Sequence, residues 1–215
     1  MNESSDASFD KNVFINCPYD EDYRNILLPI LFVLVCSGLQ PLLASMRKDA
    51  DPGRLSRIIE YIKASKYSIH DLSRTEVAEG KYPRFNMPFE LGLDEGCRKF
   101  GGEKYSSKVF LVLEGKKYLT DRVLSDIKLY DPKSHDNQRD TAISIVRDWV
   151  EEILVGDKSG KPVMGTNYSL QEFSVFQQMN NKRLTENGFS RTAINNRSEA
   201  FLIGDMQAYV SSKNV

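Results

Sequence analysis

The hydrophobic positions of this chain fall into short β-prone runs separated by helical stripes, and that alternation predicts its architecture. Val13, Phe14 and Ile15 make a first strand over Asn12–Asn16, which stops at Cys17-Pro18, where proline has no N–H for a ladder. An apolar helix follows, covering Ile26 to Cys36, with Asp20 and Asp22 as caps and Gly38 where a left-handed terminus needs glycine. Pro29 forfeits a hydrogen bond inside it and is expected to kink it. A second helix opens with Asp51 as cap and Pro52 in the first turn. There Leu55, Ile58, Ile59 and Ile62 recur at i, i+3, i+4, i+7, one buried stripe opposite Arg54, Arg57 and Lys63.

Tyr67 to Leu72 and Val109 to Leu113 read as further strands, the second so uniformly apolar that it suits a sheet covered on both faces. A helix is expected between them from Pro88 to Lys99, and another from Asp140 to Leu154 with Ile143, Val146, Val150 and Ile153 on one side and Trp149 at its edge. Strands alternating with helices predict an α/β protein with a doubly wound parallel sheet, whose ligands bind beyond the carboxyl ends of the strands. Four segments follow: a disordered start at 1–11, the α/β domain at 12–155, a Gly-, Lys-, Ser- and Pro-containing linker at 156–168, and a small helical carboxyl-terminal extension at 169–215. In the extension, Ser169 and Glu172 have capping-box spacing, and Leu170, Phe173, Phe176 and Met179 are available for burial. Thr185 to Arg197 is polar, and Phe201 to Val210 is a last apolar segment able to pack back or to dock a partner.

Charge narrows the function. The 29 basic and 30 acidic side chains leave a formal charge of −1, so no net field draws the chain to nucleic acid or to an acidic membrane. The apolar run to Cys36 is far shorter than the ~20 residues that span a bilayer, and Met1 to Asp10 has neither a basic nor an apolar export region; a cytoplasmic location is expected. Cys17, Cys36 and Cys97 are odd in number and widely spaced, which predicts reduced thiols rather than a disulfide framework or a zinc site.

Two segments carry candidate chemistry. In Arg84-Phe85-Asn86-Met87-Pro88-Phe89-Glu90-Leu91-Gly92 the proline marks a helix start, which places Glu90 in the first turn at the mouth of the sheet, either as a site carboxylate or as an acid favoured there by capping and the macrodipole. In Ser68 to Arg74 the chain leaves a strand with Asp71, Ser73 and Arg74 at its end. Asp71 either orients Arg74 or a substrate hydroxyl or caps its own loop. His70 and Asp71 point to opposite faces of a strand and cannot pair locally, and His135, in a polar Lys-Ser-His-Asp loop, is expected to be solvated. Gly156 to Pro162 lacks the spacing of a P-loop and no Gly-x-Gly-x-x-Gly loop follows a strand, so phosphates would be met by helix termini and by arginines such as Arg54, Arg74 and Arg84.

The order Val13-Phe14-Ile15-Asn16, a helix ending from Ile58 to Ser65, Ser68 to Arg74 and then Glu90 resembles bacterial TIR-like domains, over about Asn12 to Leu154. Asn16 stands where those families carry serine, and Phe85-Asn86-Met87-Pro88-Phe89 replaces their tryptophan-containing lead to the glutamate. Glu90-Leu91-Gly92 is also similar to the nucleophile triplet of nucleoside 2-deoxyribosyltransferases. Both families break an N-glycosidic bond. The resemblance implies a flavodoxin-like fold and a nucleotide N-glycosidase, most directly an NAD(P) glycohydrolase of bacterial antiviral defence, controlled by homo-oligomerisation or by a defence-system partner. NAD(P) is then the substrate, with no cofactor. Glu90 would face the ribose with Asp71 on a ribose hydroxyl; Arg54 or Arg74 would hold phosphate; Phe14, Tyr19 or Phe85 would stack on the base, with Asn16, Ser73 and Asn86 completing the pocket. A non-catalytic nucleotide sensor or scaffold, and a deoxyribosyl transferase, are the alternatives.

Overall fold

The run Asn12–Asn16 forms β1, and the Asp20 carboxylate caps the helix after it, α1 (Glu21–Cys36), by accepting the Tyr23 amide at 2.9 Å. The computed structural model describes residues 8–46, 53–75, 82–156 and 163–213. Helix α1 runs through Pro29 without a break and ends at Gly38, whose φ of 76° is the left-handed conformation glycine adopts without strain. Then come β2 (Gln40–Leu42), a short 3₁₀ turn (Ala44–Met46), α2 (Arg54–Ala64), β3 (Tyr67–Asp71) and α3 (Asn86–Phe100). After the single-turn α4 (Glu103–Ser106) follow β4 (Val109–Glu114), α5 (Leu119–Val123), β5 (Lys133–Ser134) and α6 (Arg139–Gly156). Helices α7 (Thr166–Glu186), α8 (Arg191–Asn195) and α9 (Glu199–Lys213) complete the chain. The expected cap and first turn at Asp51 and Pro52 lie outside the described residues, as do 1–7 of the start and 157–162 of the expected linker.

All five strands are parallel, in the order β2-β1-β3-β4-β5. This is the predicted doubly wound α/β sheet, and its winding reverses between β1 and β3. Strands β2 and β5, three and two residues long, were too short to stand out by periodicity. Alternate residues divide the core in two. Val13, Ile15, Tyr67, Ile69, Leu111 and Leu113 pack against α1 and α6 on one face, while Phe14 meets α2 and Val112 meets α3 on the other. The first face continues into the carboxyl-terminal helices: Phe32 of α1 lies within 5.5 to 6.1 Å of the rings of Phe173, Phe176 and Tyr209, and Ile203 and Met206 belong to the same cluster. Phe201 to Val210, expected to pack back or dock, thus packs back through these residues. Among the described residues no helix is long and apolar enough to cross a membrane.

Two local expectations fail for identifiable reasons. The stripe on α2 is narrower than its spacing suggests, since Ile58 and Ile62 are buried but Leu55 and Ile59 remain 47% and 37% exposed while Arg57 turns inward. Ser169 does not open a helix: α7 begins at Thr166 behind Gly165, and the Ser169 hydroxyl, one turn inside, donates to the Met164 carbonyl at 3.4 Å. Phe173 and Phe176 are buried as expected, whereas Met179 faces outward.

Asp20 carries more than a cap. Its carboxylate also meets Arg74 at 3.2 Å and Arg84 at 3.5 Å, and although partial burial opposes ionisation, the bonds from Arg74 and the Tyr23 amide hold its pKa below the usual 3.8. Asp20→Ala is expected to lower the unfolding free energy by about 1 to 2 kcal/mol, chiefly through the lost cap, with the urea midpoint as the measurement; an unchanged midpoint would mean that solvent replaces the cap.

Candidate functional site

The carboxyl ends of β1 and β3 are paired side by side, but the winding reversal sends the chains that leave them to opposite faces of the sheet, and the loops that leave β1 and β2 border the resulting gap with the amino-terminal turn of α3. A cleft of about 570 Å³ opens there, within the size range of small-molecule sites. Cys17 and Tyr19 come from the β1 loop, Ala44 and Ser45 from the β2 loop, Arg54 and Arg57 from α2, and Arg84, Asn86 and Met87 from the start of α3. Among the described residues every charged side chain lining it is an arginine, so the cleft suits a phosphate or another anion. Burial pushes the Cys17 thiol well above its ordinary pKa, so it is no thiolate nucleophile at neutral pH.

Glu90 lies on α3, only 3% exposed, with Oε1 accepting from Arg54 Nη2 at 3.2 Å. The helix begins at Asn86, so Glu90 sits just past the first turn rather than in it, and its hydrogen bond goes to Arg54 instead of to an amide of the helix start. Burial raises its carboxyl to about 7 against the opposing Arg54 charge. Arg54 in turn lines the cleft and lies 6.0 Å from the centre of the Tyr19 ring. Arg54 thus joins a buried acid to an arginine-lined opening.

Asp71 is spoken for. One oxygen accepts from Tyr23 Oη at 2.5 Å and His135 Nε2 at 2.9 Å, the other from the Ser73 amide at 2.9 Å and the Ser73 hydroxyl. Burial would raise this carboxyl, but the bonds from His135, Ser73 and Tyr23 outweigh it and hold the pKa low. His135 is therefore fully buried rather than solvated, a correction explained by the partner that β3 presents to it across 64 residues of sequence. Asp71, Ser73 and His135 look like a hydrolytic triad but are not wired as one. Serine and aspartate share Nε2, and Nδ1 accepts the Asn137 amide at 3.0 Å, so the ring cannot relay a proton from one to the other. The expected contacts of Asp71 with Arg74 or a substrate hydroxyl are replaced by this internal set, and Ser73, also buried, is enclosed with it.

A second buried network supports α3 from below. Asp94 of α3 accepts from Ser68 Oγ at 2.5 Å and His70 Nε2 at 3.1 Å and pairs with Lys108 Nζ at 3.1 Å, while Lys108 also donates to the carbonyls of Ile62 and Ser65. The Asn16 amide donates to Met87 O at 2.8 Å and reaches His70 Nδ1 at 3.0 Å, which requires the Nε2–H tautomer of His70. Asn16 therefore positions the first turn of α3 rather than meeting a ligand. Phe14 is also corrected: fully buried against α2 with its ring 5.9 Å from His70, it cannot stack on a base.

Of the remaining candidates, Tyr19, Arg54 and Asn86 line the cleft. Arg74 does not; its guanidinium is held by Asp20 and, at 3.3 Å, by Asn137. Phe85 precedes α3 and is 67% exposed, outside the cleft wall. Arg57 and Ser45 are cleft residues that pattern reading passed over, the first because its spacing put it on the polar face. Among the described residues no group of three histidine, cysteine or acidic side chains is placed to hold a metal. No protein-family model, curated protein or solved structure matches the chain.

Proposed function

We propose that the protein is a nucleotide N-glycosidase, with NAD or NADP as the substrate and Glu90 as the acting acid. The observation that carries the reading is the pairing of a nearly buried carboxylate with a cleft whose charged lining, among the described residues, is all arginine. Phosphates on Arg54, Arg57 and Arg84 would draw Arg54 away from Glu90 and present the freed carboxylate to the ribose. As the C1′–N bond breaks, its electrons pass to the departing ring nitrogen, which neutralises the cationic nicotinamide and leaves positive charge on the sugar. Ionised Glu90 stabilises that charge, water adds at C1′, and Glu90 accepts the proton water gives up. The resemblance to TIR-like domains adds control by oligomerisation or by a partner protein, which makes high protein concentration the appropriate condition.

The test is to incubate the purified chain with NAD, NADP, ATP and deoxynucleosides and to separate the released bases by chromatography. Release of nicotinamide is expected; release of no base from any of them sinks the reading, and nucleotide binding without release would favour a sensor. Product that forms only when a second base is added would mark a transferase. Because the step needs ionised Glu90, kcat/KM should rise with pH and level off above about 7, the pKa to which burial raises this carboxyl. A profile flat from pH 5 to 8 would assign the step to another group.

A further inference from the structure

Beside the arginine cleft lies a second and larger hollow, of about 830 Å³, between the start of α1 and helices α7 to α9. The two share a wall, because Tyr19 and Ser45 line both. That wall is fixed to the carboxyl-terminal helices: Glu199 of α9 accepts from Ser45 Oγ at 3.1 Å and pairs with Arg24 of α1 at 2.5 Å, and Arg24 also donates to the Arg197 carbonyl at 2.7 Å.

The chemistry of the two hollows differs. Among the described residues the charged lining of the cleft is three arginines, whereas in the hollow Asp20, Glu21 and Glu199 stand against Arg24 and Arg197 and nearly cancel. The hollow is instead rich in amides. Asn25, Gln177, Asn181, Asn195 and Asn196 all line it, and none of their side chains has a hydrogen-bond partner among the described residues. A side-chain amide offers a donor and an acceptor from one planar group, the pairing that nucleobase edges and ribose hydroxyls present in return. Leu27, Leu202 and Met206 supply apolar surface for a ring face.

We propose that the ligand is a dinucleotide whose second nucleoside occupies this hollow, its diphosphate lying on the cleft arginines and its scissile nucleoside towards Glu90. The proposal rests on the glycosidase reading for that last half alone. The helices after α6 are then a wall of the binding site, and Tyr19, 38% exposed at the junction, borders both nucleosides.

Calorimetric titration with NAD, AMP and nicotinamide mononucleotide tests this, carried out on the full chain in the Glu90→Gln background so that the ligand stays intact. The double variant Asn181→Ala, Asn195→Ala removes two exposed amides and leaves the core untouched, which an unchanged melting curve would verify. It is expected to weaken NAD and AMP by about tenfold while nicotinamide mononucleotide changes by less than about twofold. Equal affinity of the unaltered background for NAD and nicotinamide mononucleotide, or a double variant that binds NAD undiminished, overturns the second half-site and leaves the glycosidase reading standing. Failure of all three ligands to bind overturns both.

Discussion

Glu90→Gln is expected to cut base release by about a hundred- to a thousandfold, the scale on which removing one preorganised electrostatic contribution to a transition state is felt. Glutamine keeps the shape and can still accept a hydrogen bond from Arg54, so KM should move little while kcat falls. Retention of activity within tenfold would remove Glu90 from the mechanism. The same substitution carries a second signature with the opposite sign. The carboxyl of Glu90 titrates near 7 in the folded protein against an ordinary 4.5, so the folded state holds its proton more tightly. Below about 4.5 the group is protonated folded or unfolded and costs nothing. As pH rises through the window from 4.5 to 7 stability is lost, to a total of about 3 kcal/mol. Glutamine is neutral throughout. The variant should therefore match the parent in urea at pH 4.5 and exceed it at pH 8, so that lost turnover and gained stability appear in one protein.

Asp94→Ala is expected to destabilise the fold by about 3 to 5 kcal/mol, the scale for stranding a buried charge. The loss would leave Lys108 Nζ, His70 Nε2–H and the Ser68 hydroxyl facing an acceptor that is gone. Its dependence on pH runs opposite to that of Glu90. Burial would raise the Asp94 carboxyl, but His70, Lys108 and Ser68 outweigh it and hold the pKa below 3.8. Stability from this group, as from Asp71, is present above the ordinary carboxylate range and lost as pH falls below about 4. An Asp94→Ala protein with the parent's urea midpoint at pH 7 would show that water fills the network.

How much of this could be read from the chain follows from the distance over which each signal acts. Strand β1, helix α1 with its Asp20 cap and Gly38 terminus, and the order of strands and helices are local matters, and spacing located them. The same spacing misled at α2, because it does not distinguish Arg57 facing the cleft from Leu55 facing solvent. On β3, Tyr67-Ser68-Ile69-His70 alternates as a half-solvated strand would, yet both faces are covered. Its polar face is satisfied by Asp94 and Asn16, 24 or more residues away in sequence. His135 passed for a solvated loop residue for the same reason. Glu90 was legible because its proline-marked helix start is local; the identity of its partner, 36 residues upstream, was not.

The aromatic contact of Phe32 with Phe173, Phe176 and Tyr209 bears on how such a chain can be recombined. The linker expected from sequence at 156–168 looks like a seam at which one carboxyl-terminal module could be exchanged for another. The seam is covalent only, because the buried side of α1 is shaped to rings that lie beyond it. A transplanted helical segment would have to bring matching rings, and an unrelated one would leave Phe32 uncovered on α1, a sticky patch on an otherwise intact α/β layer. Exchange of this segment therefore requires either rings that fit Phe32 or a compensating change on α1.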